Sequence, residues 1–168
     1  MVAFVVPISN PLTRSNVMQS QGLIVGLLVL LATSLIAAEH SKQDVVKKDV
    51  DAIQGTWKIA ALEADGTQAP AEIVAALKLV FKDDTLTFTP GEPGFTKYNY
   101  KLDPTTKPAS FDMTHADGTN KGKTQKGIYL LEGDRLKICC GTADNRPKEF
   151  SAKAKSGQAM YTLERKKQ

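Results

Sequence analysis

Charge is missing from the start of this chain. Among 22 Lys and Arg and 18 Asp and Glu in 168 residues, Arg14 alone precedes Glu39, so the leading 38 residues are no ordinary globular surface. Cysteine is nearly absent as well, with only the adjacent Cys139 and Cys140. Neighbouring Cα atoms lie about 3.8 Å apart, below the roughly 4.4 Å minimum of an ordinary disulfide, so this pair cannot staple distant parts of a fold. They read as two small hydrophobes, one pointing into a sheet's buried face and one out; a strained vicinal disulfide or an intermolecular bridge is the alternative. Histidine is limited to His40 and His115, and a zinc site of ordinary type needs three or four ligands, so no metal is expected. A Gly-rich phosphate loop, Gly-x-Ser-x-Gly, His-Glu-x-x-His and Cys-x-x-Cys are all lacking, which removes the familiar motif-bearing enzymes and any cofactor they would bring.

What is there divides at Glu39. Gly22 to Ala38 reads GLIVGLLVLLATSLIAA, an uncharged run of about 25 Å as a helix, short of the roughly 30 Å hydrocarbon thickness. Ala37 and Ala38 followed by Glu39-His40-Ser41-Lys42 supply a cleavage site, so residues 1–38 read as a signal peptide. An uncleaved anchor is the alternative, and then the only route to a membrane. Met18, just before the apolar run, is a second candidate start. The expected location is outside the cytoplasm: periplasmic, cell-envelope or extracellular.

The 130 residues that follow carry 21 basic and 18 acidic side chains, a balance that does not point to nucleic acid. Their length fits one core. Residues 39–54 form a short amphipathic helix in this reading, with Val46, Val50 and Ile53 at the i, i+4, i+7 spacing of one face over Asp44 to Gln54. A second short helix follows Pro70, through Ala71 to Ala76.

Residues 55–168 otherwise read as short strands separated by turn residues. These are Trp57 to Leu62, Leu77 to Lys82, Thr85 to Thr89, Thr96 to Leu102, Ala109 to Thr114, Gly127 to Leu131, Arg135 to Cys140, Glu149 to Lys153 and Ala159 to Glu164. Short turns and no long intervening helices predict a mainly β fold, an antiparallel up-and-down barrel of eight to nine strands with one or two short helices. A two-sheet sandwich fits the same alternation.

Gly55-Thr56-Trp57 on the first strand after a short helix resembles the lipocalin signature, and Arg165 on the last strand matches the basic residue that packs across that Trp in lipocalins. The resemblance implies that Gly55, Trp57 and Arg165 close the barrel, with a flat guanidinium stacked on an indole. Further blocks follow in order: Asp65-Gly66, Leu102 to Pro108 with Asp112 beyond, Gly127-Ile128-Tyr129, Gly133-Asp134, Leu136 to Cys139, and Arg146 to Phe150. Together they resemble a lipocalin-like domain family expanded in planctomycetes, over about Asp49 to Arg165. That resemblance implies a small secreted or membrane-attached barrel and brings no catalytic residues.

Candidate binding residues follow from position and chemistry. Asp103, Lys107 and Asp112 could ring a barrel mouth around a polar ligand; a turn role for Asp103-Pro104 and Lys107-Pro108 is the plainer reading. Arg146 could meet an anionic ligand, or pair with Asp144 or Asp103. Tyr98, Tyr100, Tyr129 and Tyr161 could line the interior with their phenol groups, or fill it. The expected function is non-enzymatic binding of a small hydrophobic or amphipathic molecule; the alternative is a structural or protein-interaction module of the cell envelope with a filled barrel.

Overall fold

A computed structural model describes residues 42–89, 96–143 and 145–167. The apolar leader, the second candidate start at Met18, the cleavage site and Asp144 lie outside the described residues. Helix α1 (residues 42–53) is followed by β1 (Gly55–Ala64), β2 (Thr67–Gln68), α2 (Ala71–Ala76), β3 (Lys78–Lys82), β4 (Thr85–Thr89), β5 (Thr96–Asp103), β6 (Ala109–His115), β7 (Thr124–Glu132), β8 (Arg135–Cys140) and β9 (Ala159–Arg165).

Every neighbouring pair is antiparallel, and β1 pairs with both β3 and β9. Eight strands therefore close into a barrel, with β2 as a ninth strand hairpinned onto β1. Closure leaves no long free edge among the described strands to recruit another chain. The alternation legible in the sequence is what fills the interior: Leu79 and Phe81, Leu86, Tyr100 and Leu102, Phe111 and Met113, Tyr129, Leu136, Ile138 and Cys140, and Leu163 are all buried in one cluster. Successive strand residues point to opposite faces, so the residues between them form the outer wall. In β1 the register shifts between Ile59 and Ala61; this bulge lets Ile59 and Leu62 both reach the core cluster.

The two ends of the barrel differ. At the floor lie the start of β1, the Asp83-Asp84 and Gly133-Asp134 turns, the 104–108 turn and helix α1. At the rim lie the β1–β2 hairpin, α2, the 116–123 loop and the long β8–β9 connection. The amphipathic pattern of α1 explains its seat: Ile53 is fully buried and Val46 and Val50 half-buried, while Lys47 and Asp51 pair on the exposed side at 2.5 Å.

The segment Glu149 to Lys153, expected as a strand, is not one. Its backbone turns on itself, with Ser151 N–H donating to Glu149 O at 3.0 Å. Instead of joining the sheet it lies against the outer face of β7 and β8. There Ile128, Cys139, Pro147 and Ala152 form a small second core outside the barrel, each almost wholly buried. Phe150 and Ala152 alternating with Glu149, Ser151 and Lys153 gave this segment a strand-like pattern, but the two outward-facing apolar residues Ile128 and Cys139, paired across β7 and β8, need covering more than β9 needs another neighbour. The Asp65-Gly66 turn holds the cover down: Asp65 N–H donates to Gln158 O at 2.9 Å, Gly66 N–H donates to Ala152 O, and Asp65 Oδ1 accepts Gly157 N–H at 3.1 Å. Both turn residues have positive φ, 51° and 80°, the type I′ geometry of a two-residue hairpin. A Cβ on Gly66 would sit 2.8 Å from Ala154 N, so this turn needs glycine.

Candidate functional site

The floor is sealed by two side chains that complete the end of α1. The last carbonyls of a helix have no partner within it. Here Arg165 Nη2 donates to Ala52 O at 2.6 Å, Trp57 Nε1 to Ile53 O at 2.8 Å, and Arg165 Nη1 to Gln54 O at 2.7 Å. The Arg165 guanidinium lies 4.2 Å over the Trp57 ring and its Nε donates to Asp134 Oδ1 at 3.1 Å. A cation at a helix C-terminus also opposes the negative end of the helix dipole. Gly55, with φ of 110°, makes the left-handed exit from α1 directly beneath Arg165. Gly55, Trp57 and Arg165 thus meet in one closure.

Two of the four tyrosines belong to this floor. Tyr100 donates to Asp83 O at 2.9 Å and accepts from Gln54 Nε2 at 2.9 Å. Tyr129 donates to Asp49 Oδ2 at 2.5 Å, tying β7 to α1. Burial, and then the Asp49 carboxylate, push the Tyr129 phenol far above its ordinary range. Phe81, Tyr100 and Phe111 pack ring to ring, with centroids 5.1 to 6.4 Å apart, and fill the section above.

Beyond those rings the interior is not filled. A cavity of about 160 Å³ occupies the rim half, lined by Leu79, Leu86, Phe88, Phe111, Met113 and Ile138 as apolar wall and by Tyr98, Tyr161, Gln125 and Cys140 as polar-tipped residues. Phe88 and Tyr161 meet edge to face at 6.2 Å, and the His115 ring packs 4.5 Å from that of Tyr98. Burial is the first cause raising the pKa of both Tyr98 and Tyr161. It also pushes the Cys140 thiol up to about 12. Cys139 faces the other way, is free like Cys140, and donates to Ser151 O at 3.3 Å under the outer cover.

The polar residues singled out in the sequence do not form one group. Asp103 is at the floor, where its Oδ1 accepts Thr105 N–H at 3.0 Å and its Oδ2 lies 3.9 Å from Lys42 Nζ. The Thr105 hydroxyl, which donates to the same Oδ1, and then the Thr105 N–H hold its carboxyl below the usual carboxylate range. Lys107 is exposed on the same floor turn. Asp112 is on the outer wall, opposite Lys101 and Lys126, and meets Arg146 Nη2 at 2.7 Å. Arg146 also donates to Gly127 O at 2.5 Å; of the described residues its ion-pair partner is Asp112 rather than Asp103, and Asp144 lies outside them. Asp103, Lys107, Asp112 and Arg146 all lie away from the cavity. Of the eight candidate binding residues, Tyr98 and Tyr161 line it.

Gln125, Met113, Phe88 and Cys140 were not singled out as cavity residues. Extending the alternation of Tyr129 and Gly127 back by two residues would have found Gln125, since β7 begins three residues earlier than expected. A second, more open depression of about 480 Å³ lies between α2 and the rim half of β1, walled by Ile59, Leu62, Ala69 and Val74. Among the described residues, no three His, Cys, Asp or Glu side chains converge as metal ligands, and no helix is long and apolar enough to cross a membrane.

No family model and no curated protein matches the chain. Among solved structures, a variant of the fluorescent protein UnaG is similar to it at 15% identity, over 71% of this chain and 99% of that one, with a TM-score of 0.39. What stands for this chain is its own architecture: a closed antiparallel barrel of eight strands, with one added strand and two helices.

Proposed function

We propose that this chain is an exported, non-enzymatic, lipocalin-like carrier that holds a small apolar or amphipathic molecule in the rim half of its barrel. The observation carrying the reading is the division of the interior, in which a floor completed by α1, Trp57 and Arg165 gives way to an unfilled apolar chamber. Apolar walls with a few polar tips are the usual make-up of a small-molecule site. An apolar cavity of about 150 Å³ takes a guest the size of benzene, so the expected ligand, or the part of it that enters, is one ring or a short aliphatic chain. Export rests on the apolar leader and on the resemblance to the secreted planctomycete family.

One observation favours the second reading, an envelope module with no ligand: the chamber is smaller than the roughly 300 Å³ at which ordinary ligand pockets begin. Native mass spectrometry of the protein purified from its source separates the two. The carrier reading expects a chain beginning near Glu39 and a small adduct released on collisional activation. An adduct-free chain that also ignores a broad panel of lipids and metabolites would contradict the carrier, and an intact 1–38 segment would contradict cleavage.

A further inference from the structure

The four tyrosines of the barrel fall into two pairs. Tyr100 and Tyr129, at the floor, have their hydroxyls tied to Asp83 O, Gln54 and Asp49. Tyr98 and Tyr161, at the rim, line the chamber, and among the described residues neither hydroxyl has a hydrogen-bond partner in the protein. The same is true of the Gln125 side-chain amide beside them. Floor phenols are structural; rim phenols present donors to whatever enters.

Among the described residues, no Lys, Arg, Asp or Glu lines the chamber. Cations of the wall are outside: Lys78 and Lys97 are exposed and alternate with the inward Leu79 and Tyr98, Lys101 and Lys126 flank Asp112, and Arg146 is held by Asp112 and Gly127 O. His115 packs against the ring of Tyr98 at a tilt of 51° and is not part of the lining. A ligand carboxylate would therefore leave water without a cation to meet it, a cost that two phenol hydrogen bonds do not offset. A wholly apolar ligand would fill the space but strip water from two phenols and an amide without replacing their bonds.

We infer that the chamber selects a neutral molecule of about one ring whose polar end accepts hydrogen bonds from the Tyr98 and Tyr161 hydroxyls, an inference that rests on the chamber being a ligand site. Aryl ketones, aldehydes and esters of that size have this chemistry. The phenol pair positions the acceptor end while Phe88, Met113 and Ile138 enclose the ring. Burial keeps both phenols protonated well past neutral pH, so both remain donors.

Three probes of nearly equal shape test this on the full chain at neutral pH: acetophenone, ethylbenzene and benzoate, each titrated by NMR and calorimetry. Acetophenone should bind most tightly. Tyr98→Phe and Tyr161→Phe should each weaken it by about three- to tenfold, the usual worth of one neutral hydrogen bond, and leave ethylbenzene unchanged. Equal or tighter binding of ethylbenzene or benzoate would overturn the selection while leaving a ligand chamber in place. So would Tyr→Phe changes that weaken all three probes alike, because the phenols would then act only by packing. If none of the three binds, the ligand-site reading itself fails and the selection falls with it.

Discussion

Arg165 is the residue on which the floor turns. Its guanidinium stacks on Trp57, donates to two helix-end carbonyls and meets Asp134. Replacing it with Leu should lower the unfolding free energy by about 2 to 3 kcal/mol, since charged donors leave unsatisfied carbonyls behind. Lys should restore little, because a compact ammonium cannot serve two carbonyls and a ring face together. Trp57→Ala should cost about 3 to 5 kcal/mol as a large aromatic truncation in a core; urea denaturation measures all three, and near-wild-type stability of the Leu variant would refute the closure. The pairing of Trp57 with Arg165 was legible because the resemblance names both positions. The pairing of Asp112 with Arg146 was not, because a strand residue and a loop residue 34 positions apart leave no local pattern. Neither cysteine titrates near neutrality: burial raises both thiols, Cys140 to about 12. Native protein should therefore react with a disulfide reagent far more slowly than denatured protein, and rapid native labelling would show an open cover or chamber.

Among the elements, strands were the readable part and the connections were not. Alternation in Leu86 and Phe88, or Phe111 and Met113, is a period-2 signal that burial on one face imposes. The same signal misled at Glu149 to Lys153, where Ala152 is buried as part of the cover over β7 and β8 rather than in a ladder. That cover depends on the Asp65-Gly66 turn. Gly66→Ala introduces a side chain at a φ of 80° and within 2.8 Å of Ala154 N. It should cost more than about 1 kcal/mol. It should also speed labelling of Cys139 relative to Cys140, because it loosens the segment over Cys139 and leaves the barrel interior alone. Equal acceleration of both thiols would mean that the barrel and its cover open as one unit.

For the whole molecule, the groups shifted by burial set the direction of pH dependence. Cys139, Cys140 and all four tyrosines have raised values. A group raised in the folded state binds more protons there than in the unfolded chain, so its contribution is complete below its unfolded value and is lost as pH rises above it. Unfolded references of 9.0 for Cys and 10.0 for Tyr place the loss on the alkaline side. Stability from these groups should be flat through neutral pH, begin to fall above about pH 9 and fall more steeply above about pH 10. Thermal unfolding across that range checks it, and a midpoint constant to pH 11 would contradict the burial of these side chains.

The barrel's central claim is a packed floor beneath an unfilled chamber that accepts a guest, and benzene titrated into the full chain, followed by methyl NMR, tests it most directly. Saturable shifts should appear at Met113, Leu79, Leu86 and Ile138, which line the chamber, and be absent at Leu163, buried in the core outside that lining. No saturable shift at any chamber methyl, or shifts spread equally to Leu163, would contradict it.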